Sequence, residues 1–307
     1  MNGAGGGVKH SIGNIRRAAI AGLVLLAGGC DRMVVLNPKG PIAHAERGLL
    51  IDAFTVMMVV VVPVILMAFF FAWRYRASNR EARYEPTWAY SVKIDAFVWL
   101  VPALIVIAVG ILVWRSTHKL DPYREIASDL PPLDIQVVGQ DWKWLFIYPE
   151  QGVASVNQMA IPVGRPISLR ITSDTVMNSF YVPALAGQIY AMAGMQTRLQ
   201  LLADAPGKFV GRNTQYSGSG FSDQFFEVVA TSPADFDAWV AKAKQAPGKL
   251  DAATYAKLAE KSRLNPIVYY STVEPKLFDS IIEKFAGPRG HGAHGAAAAA
   301  AAPPARR

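Results

Sequence analysis

The stretches AFTVMMVVVVPVILMAFFFAW, residues 53–73, and AFVWLVPALIVIAVGILVW, residues 96–114, decide the fold. The first is 21 residues without a charge and the second 19. At about 1.5 Å of rise per residue each is long enough, as a helix, to cross a hydrocarbon core of about 30 Å. A buried helix of a soluble domain rarely runs so far without a charged position to face water. Pro63 and Pro102 sit mid-span, where membrane helices tolerate a kink that soluble helices usually avoid. The sequence therefore predicts a transmembrane helical hairpin over residues 49–114.

Charge sets its direction. The connection from Arg74 to Asp95 carries Arg74, Arg76, Arg80, Arg83 and Lys93, against three Lys or Arg in Asp31 to Gly48 and three in Arg115 to Leu130. Positive charge marks the cytoplasmic side, so the connection is expected inside and both flanks outside. Trp73, Trp88, Trp99 and Trp114 lie near the span ends, where interfacial anchors belong. The hairpin would thus hold a large polar region on the outer face.

Of 307 residues, 52% are hydrophobic and 18% charged, which suits one membrane part and one globular part. The net charge of +8 does not imply nucleic acid: Pro131 to Ser232 holds six Lys or Arg against seven Asp or Glu, so the outer domain lacks a phosphate-binding footprint. A single cysteine excludes internal disulfides. Lys9, Arg16 and Arg17, the apolar run Ala18 to Ala27, then Gly28, Gly29 and Cys30 have the layout of a secretory signal over residues 1–29. Small residues running into Cys30 are similar to a bacterial lipobox, which would make Cys30 the lipidated N-terminus of an outer segment, residues 30–48. The usual leucine three places before the cysteine is Ala27 here, and an ordinary signal or anchor with an incidental thiol is the competing reading.

Beyond Arg115 the chain is polar and without period to Leu130, as a linker is. From Leu133 it turns to strands: Leu133, Ile135 and Val137 alternate with polar neighbours, as do Leu169 and Ile171, then Leu199 and Leu201. Pro149, Gly152, Pro162 to Gly164, Pro206-Gly207 and Gly218 to Gly220 punctuate them. An antiparallel sandwich or small barrel is expected over 131–232. Residues 233–286 read as helical: Ser232, Pro233 and Asp235 start one helix, and Leu277, Phe278, Ile281, Ile282 and Phe285 share one face of another. The Gly, Ala and Pro-rich tail, 287–307, with His291 and His294, has the composition of a disordered segment.

Five words carry a family resemblance: FAWRYRASN at 71–79, DWKW at 141–144 running on to FIYPEQG at 146–152, VMNSF at 176–180, QIYAMAGMQ at 188–196 and YSGSGFS at 216–222. With the order of signal, hairpin and β domain, they make the chain, from about Cys30 to Phe285, resemble subunit II of the haem-copper respiratory oxidases. The likeness is greatest to the quinol-oxidising, cytochrome bo-type branch. The resemblance implies a cupredoxin-like Greek-key sandwich on a two-helix anchor, followed by C-terminal helices. It places the chain in a bacterial plasma (inner) membrane with the large domain on the periplasmic side. It also implies a non-catalytic subunit of a proton-pumping ubiquinol oxidase in the respiratory chain, in contact with membrane lipid, with a separate subunit I and other subunits as partners. Haems and one copper are expected in subunit I, ubiquinol reaches the complex through the bilayer, and no nucleic acid is involved.

In the cytochrome c branch the domain binds a dinuclear copper centre through two Cys, two His and a Met. Laid on this sequence, the cysteine positions become Tyr216 and Gly220, the later His and Met become Gln224 and Glu227, and the earlier His becomes Asn178. Residues 119–290 contain no His and no Cys. The expectation is a domain without copper, because a dinuclear site has no soft ligands to use, and a loop 216–222 held by its glycine turns and by burial of Tyr216 and Phe221. Met159, Met177, Met192 and Met195 are read as core fillers, with a copper(I) site as the rival. Trp142 and Trp144, two apart, are expected on one strand face as packing. Asp95, where the family usually has glutamate at the mouth of a proton-uptake channel, is either a proton entry or a carboxylate stabilised at a helix N-terminus. Two rival functions stay open: a cytochrome c oxidase subunit II, and a free-standing membrane-anchored copper-binding lipoprotein.

Overall fold

The computed structural model describes residues 33–83 and 85–286. The signal region, Cys30 and the tail histidines lie outside these. The described chain divides into two compact units, residues 45–121, and residues 33–44 together with 122–286.

The apolar runs form α1 (Pro41–Arg74) and α2 (Val92–Lys119). Both extend past the apolar cores, and α2 takes in Arg115 to Lys119, the start of the expected linker. Its last turn is stabilised by backbone bonding at Leu120 and by the basic pair His118 and Lys119 near the C-terminal carbonyls. Of all residues in the two helices only Ala43 is buried. Helices apolar on every side, with no protein covering them, need lipid as solvent. The 71–79 word closes α1: Asn79 Nδ2 donates to Arg74 O at 2.7 Å, Arg76 Nη1 donates to Trp73 O at 3.0 Å, and the Arg76 guanidinium lies 5.5 Å over the Trp73 ring.

The second unit is a sandwich. Its strands are β1 (Leu133–Gln140), β2 (Lys143–Tyr148), β3 (Val153–Val156), β4 (Gln158–Pro162), β5 (Ile167–Ser173), β6 (Asn178–Tyr181), β7 (Gln188–Ala191), β8 (Thr197–Leu201), β9 (Gly207–Asn213) and β10 (Phe225–Thr231). After them come α3 (Pro233–Lys244), β11 (Lys249–Leu250), α4 (Ala252–Ala259), β12 (Val268–Tyr270), β13 (Thr272–Val273) and α5 (Leu277–Glu283). One sheet runs β12-β3-β2-β1-β5-β8 and the other β4-β10-β9-β6-β7. The expected all-antiparallel pattern is corrected: β1 pairs with β5, and β4 with β10, in parallel. The chain changes sheet between β3 and β4 and between β4 and β5, and β5 returns beside β1, not beside β3, running parallel to it.

The core between the sheets holds Leu133, Ile135, Val137, Leu169, Ile171, Leu199 and Leu201, the residues that alternate in the sequence. Trp144 and Phe146 pack there against Phe180 and Phe226, with ring centroids 4.9–5.7 Å apart in the closer pairs. A second core covers the opposite face of the six-stranded sheet, where Val138, Leu145, Ile147, Ala154 and Val156 meet Leu250, Tyr255, Tyr270, Leu277, Phe278 and Ile281. Burial on both faces explains why β2 reads KWLFIY with all six residues buried and no polar alternation.

Residues 37–43 belong to this sandwich unit. Lys39 N–H donates to Ala184 O at 2.7 Å, Asp204 N–H to Lys39 O at 2.9 Å, and Ala43 N–H to Leu185 O at 3.3 Å. Gly40 is required there, since a Cβ would stand 2.2 Å from the Leu202 carbonyl oxygen.

Candidate functional site

The copper-equivalent positions converge only in part. Asn178 starts β6 and Gln224 precedes β10; both side chains are buried and they meet directly, Gln224 Nε2 donating to Asn178 Oδ1 at 3.2 Å. Asn213, at the end of β9, joins them by donating from Nδ2 to Asn178 Oδ1 at 2.8 Å and to Gln224 Oε1 at 2.9 Å. The remaining polar atoms are also satisfied. Asn178 Nδ2 donates to Val176 O at 2.9 Å and Ser173 Oγ at 3.1 Å, Gln224 Nε2 to Gln140 O at 3.2 Å, and Asn213 Oδ1 accepts from Ser179 N–H at 2.8 Å and Gln215 N–H at 3.0 Å. Ser217 Oγ donates to Gln224 Oε1 at 3.1 Å.

This is a closed network of neutral amides. An amide buried without partners costs about 1–3 kcal/mol, so closure is what allows three of them in one interior. Its donor set does not fit a dinuclear copper centre: the carbonyl oxygens are hard ligands already engaged by N–H groups, and no thiolate or imidazole stands among them. Asn213 was not visible as a member from the sequence, where Asn-Thr-Gln at 213–215 looks like any polar turn.

The other three of the five expected positions lie apart from it. Glu227 sits on β10 and accepts from Gln158 Nε2 at 2.8 Å and Lys208 Nζ at 2.9 Å. Burial alone would raise its carboxyl, yet the bonds from Gln158 and Lys208 hold it below the ordinary 4.5. Gly220 lies under the Trp142 ring, where an added Cβ would be 2.2 Å from Cδ2. Tyr216 is 72% exposed, its ring 5.8 Å from Phe221. Burial of Tyr216 therefore does not hold the loop, contrary to expectation. What holds it is Trp142, whose Nε1–H donates to Ser217 O at 3.2 Å, and Arg263, whose Nε and Nη2 both donate to Asp223 Oδ2 at 3.0 and 2.7 Å.

The tryptophan expectation is corrected too. Trp142 is not on a strand; with φ 63° it occupies the two-residue turn between β1 and β2, while Trp144 points into the core. The left-handed turn breaks the period of two. Of the methionines, Met159 fills the core as expected, but Met177 and Met195 are exposed, and Met192 and Met195 contribute backbone carbonyls to Thr172 Oγ1.

Two buried charges escaped the sequence. Lys143 is fully buried, its ammonium donating to Glu260 O and Ser262 Oγ, each at 2.6 Å; burial pushes its pKa down. Asp174 accepts from Tyr255 Oη and Lys284 Nζ, each at 2.7 Å, and burial followed by that hydrogen bond pushes the Tyr255 hydroxyl up. Both fasten the C-terminal region to the sheet.

In the hairpin unit, Asp95 lies in the first turn of α2, partly exposed. Ser91 takes the N-cap position, and the Asp95 N–H already donates to Ser91 O at 2.9 Å. Its carboxylate forms no hydrogen bond or ion pair among the described residues, so it caps nothing.

Residues 151–232 match the family model for the cytochrome c oxidase subunit II periplasmic domain, and residues 244–289 match the COX aromatic rich motif. A cupredoxin-like sandwich on two apolar helices, with this aromatic cover, defines a membrane-anchored oxidase subunit II. Among curated proteins, the cytochrome bo(3) ubiquinol oxidase subunit 2 of Pseudomonas putida is 51% identical over 88% of this chain and 86% of its own length. That of Pseudomonas aeruginosa is 50% identical over 88% and 83%, and the ubiquinol oxidase subunit 2 of Acetobacter aceti 48% over 88% and 89%. The chain belongs to the family of ubiquinol oxidase subunit 2, within the haem-copper oxidases.

Proposed function

We propose that the chain is the non-catalytic integral subunit II of a proton-pumping ubiquinol oxidase, which couples quinol oxidation to reduction of O₂ to water. The observation that supports this most is the self-satisfied amide network in which Asn178 and Gln224, at two of the positions where the cytochrome c branch has copper ligands, are joined by Asn213, in a chain whose relatives are ubiquinol oxidase subunits. A domain without a redox centre has no part in receiving electrons from a water-soluble donor. Ubiquinol needs no such relay, because it is lipid-soluble and delivers electrons within the bilayer.

On this reading the haems and the single copper belong to a separate catalytic subunit I, which the hairpin docks against and the sandwich caps. The complex sits in the bacterial inner membrane, with Arg74 to Lys93 in the cytoplasm and residues 33–44 and 122–286 in the periplasm. Cys30 carries lipid and adds a second anchor. Asp95, at the cytoplasmic end of α2 with its carboxylate unpaired, receives protons on their way into subunit I.

The test is the electron donor. The complex purified through this chain should consume O₂ with ubiquinol and not with reduced cytochrome c. Turnover with cytochrome c alone would transfer the chain to the other branch.

A further inference from the structure

We infer that Arg170 and Arg198 form an anion site that takes a phosphate group. The register of β5 and β8 sets these two arginines directly opposite each other. Directly opposed residues share a sheet face, with Cβ atoms about 4.5–5.5 Å apart, and like charges in that relation repel. Among the described residues neither has a carboxylate within salt-bridge distance, while Arg165 pairs with Glu150 and Arg263 with Asp223. The Arg170 guanidinium is held 5.7 Å over the Phe278 ring, and its Nε is buried with no acceptor. A buried donor without a partner is costly, and a stacked guanidinium cannot turn away to find one.

The next register position on the same face is Ser168 opposite Gln200, joined from Gln200 Nε2 to Ser168 Oγ at 3.4 Å. These two residues line a groove of about 610 Å³ whose other wall is the segment from Glu125 to Pro132. The two arginine positions lie one register step along the same sheet face from this polar pair, outside the residues that line the groove. A tetrahedral phosphate offers oxygens to both forks at once and cancels the repulsion between them. Glu125 and Asp129 stand on the groove wall and oppose an anion placed within the groove, so the phosphate belongs at the arginine pair beside it. Free phosphate and a phospholipid headgroup present the same chemistry.

The full-length chain in uncharged detergent, at ionic strength fixed with chloride, tests this by thermal midpoint. One arm adds inorganic phosphate; the other adds phosphatidylglycerol, with phosphatidylcholine as its control. The midpoint of the wild type should climb by about 3–5 °C for each tenfold rise of ligand above its dissociation constant. Response to both arms identifies phosphate itself, and response to phosphatidylglycerol alone identifies a headgroup. Arg170→Gln combined with Arg198→Gln should abolish the response, and Arg212→Gln should leave it. Without ligand, Arg198→Gln should not lower the midpoint, since it removes a repulsion; a structural role would make it fall. No response in either arm, or an equal response in the double variant, would overturn the site.

Discussion

Asn213 is the residue on which the amide network closes, because it alone both donates to Asn178 and Gln224 and accepts two backbone N–H groups. Asn213→Ala strands all of these and should lower stability by about 3 kcal/mol, read by denaturant or thermal unfolding. Asn213→Asp is the sharper test: near-identical in shape, it sets an oxygen against Asn178 Oδ1 and Gln224 Oε1, and should destabilise at least as much at neutral pH. Glu227 gives a pH signature. Its folded pKa is depressed below 4.5, so its stabilising contribution is complete above 4.5 and is lost as pH falls through the folded value. Glu227→Gln should therefore cost up to about 1 kcal/mol at pH 7 and progressively less as pH falls below the folded value, measured as the difference in midpoint from wild type. Asp95→Asn should slow O₂ consumption while leaving assembly and haem content intact; an unchanged rate would retire the proton-entry role. At this scale the sequence yielded Asn178 and Gln224 through resemblance. It could not yield Asn213, Lys143 or Asp174, because pairing across 35 to 117 residues leaves no local pattern.

The elements were most legible where burial is one-sided or where the whole span is apolar. The long apolar runs became α1 and α2, and the alternating residues of β1, β5 and β8 became core. Ser232 caps α3 as its sequence indicates, its Oγ accepting from Asp235 N–H at 3.2 Å. The reading failed where tertiary contacts override local period: β12 is a three-residue edge strand defined only by its pairing with β3, and α4 has eight residues between two short strands. Gln158 shows what gathers these pieces, since its Oε1 accepts from Trp239 Nε1 of α3 and Tyr269 Oη of β12. The aromatic cover is the element whose loss should matter most. Phe278 is fully buried against β1 and β2 residues on one side and stacks under Arg170, so Phe278→Ala should cost about 3–5 kcal/mol by equilibrium unfolding. A cost below about 1 kcal/mol would mean that α5 is dispensable to the sheet.

As a whole, the chain couples a part stable only in lipid to a part stabilised by two aqueous-domain cores, and neither contains a cluster of three or more His, Cys, Asp or Glu disposed for a metal among the described residues. The stitching of residues 37–43 onto the sandwich has a practical consequence: a fragment starting at 125 would lose these contacts, so the metal question belongs to the intact complex. On the proposed function, electrons reach the oxidase without passing through this subunit. The most direct measurement is copper and haem content of the complex purified through this chain in mild detergent, with its near-infrared spectrum. The expected result is a haem-bearing partner, one copper per complex and no near-infrared dinuclear copper band. Three coppers per complex together with that band would contradict it.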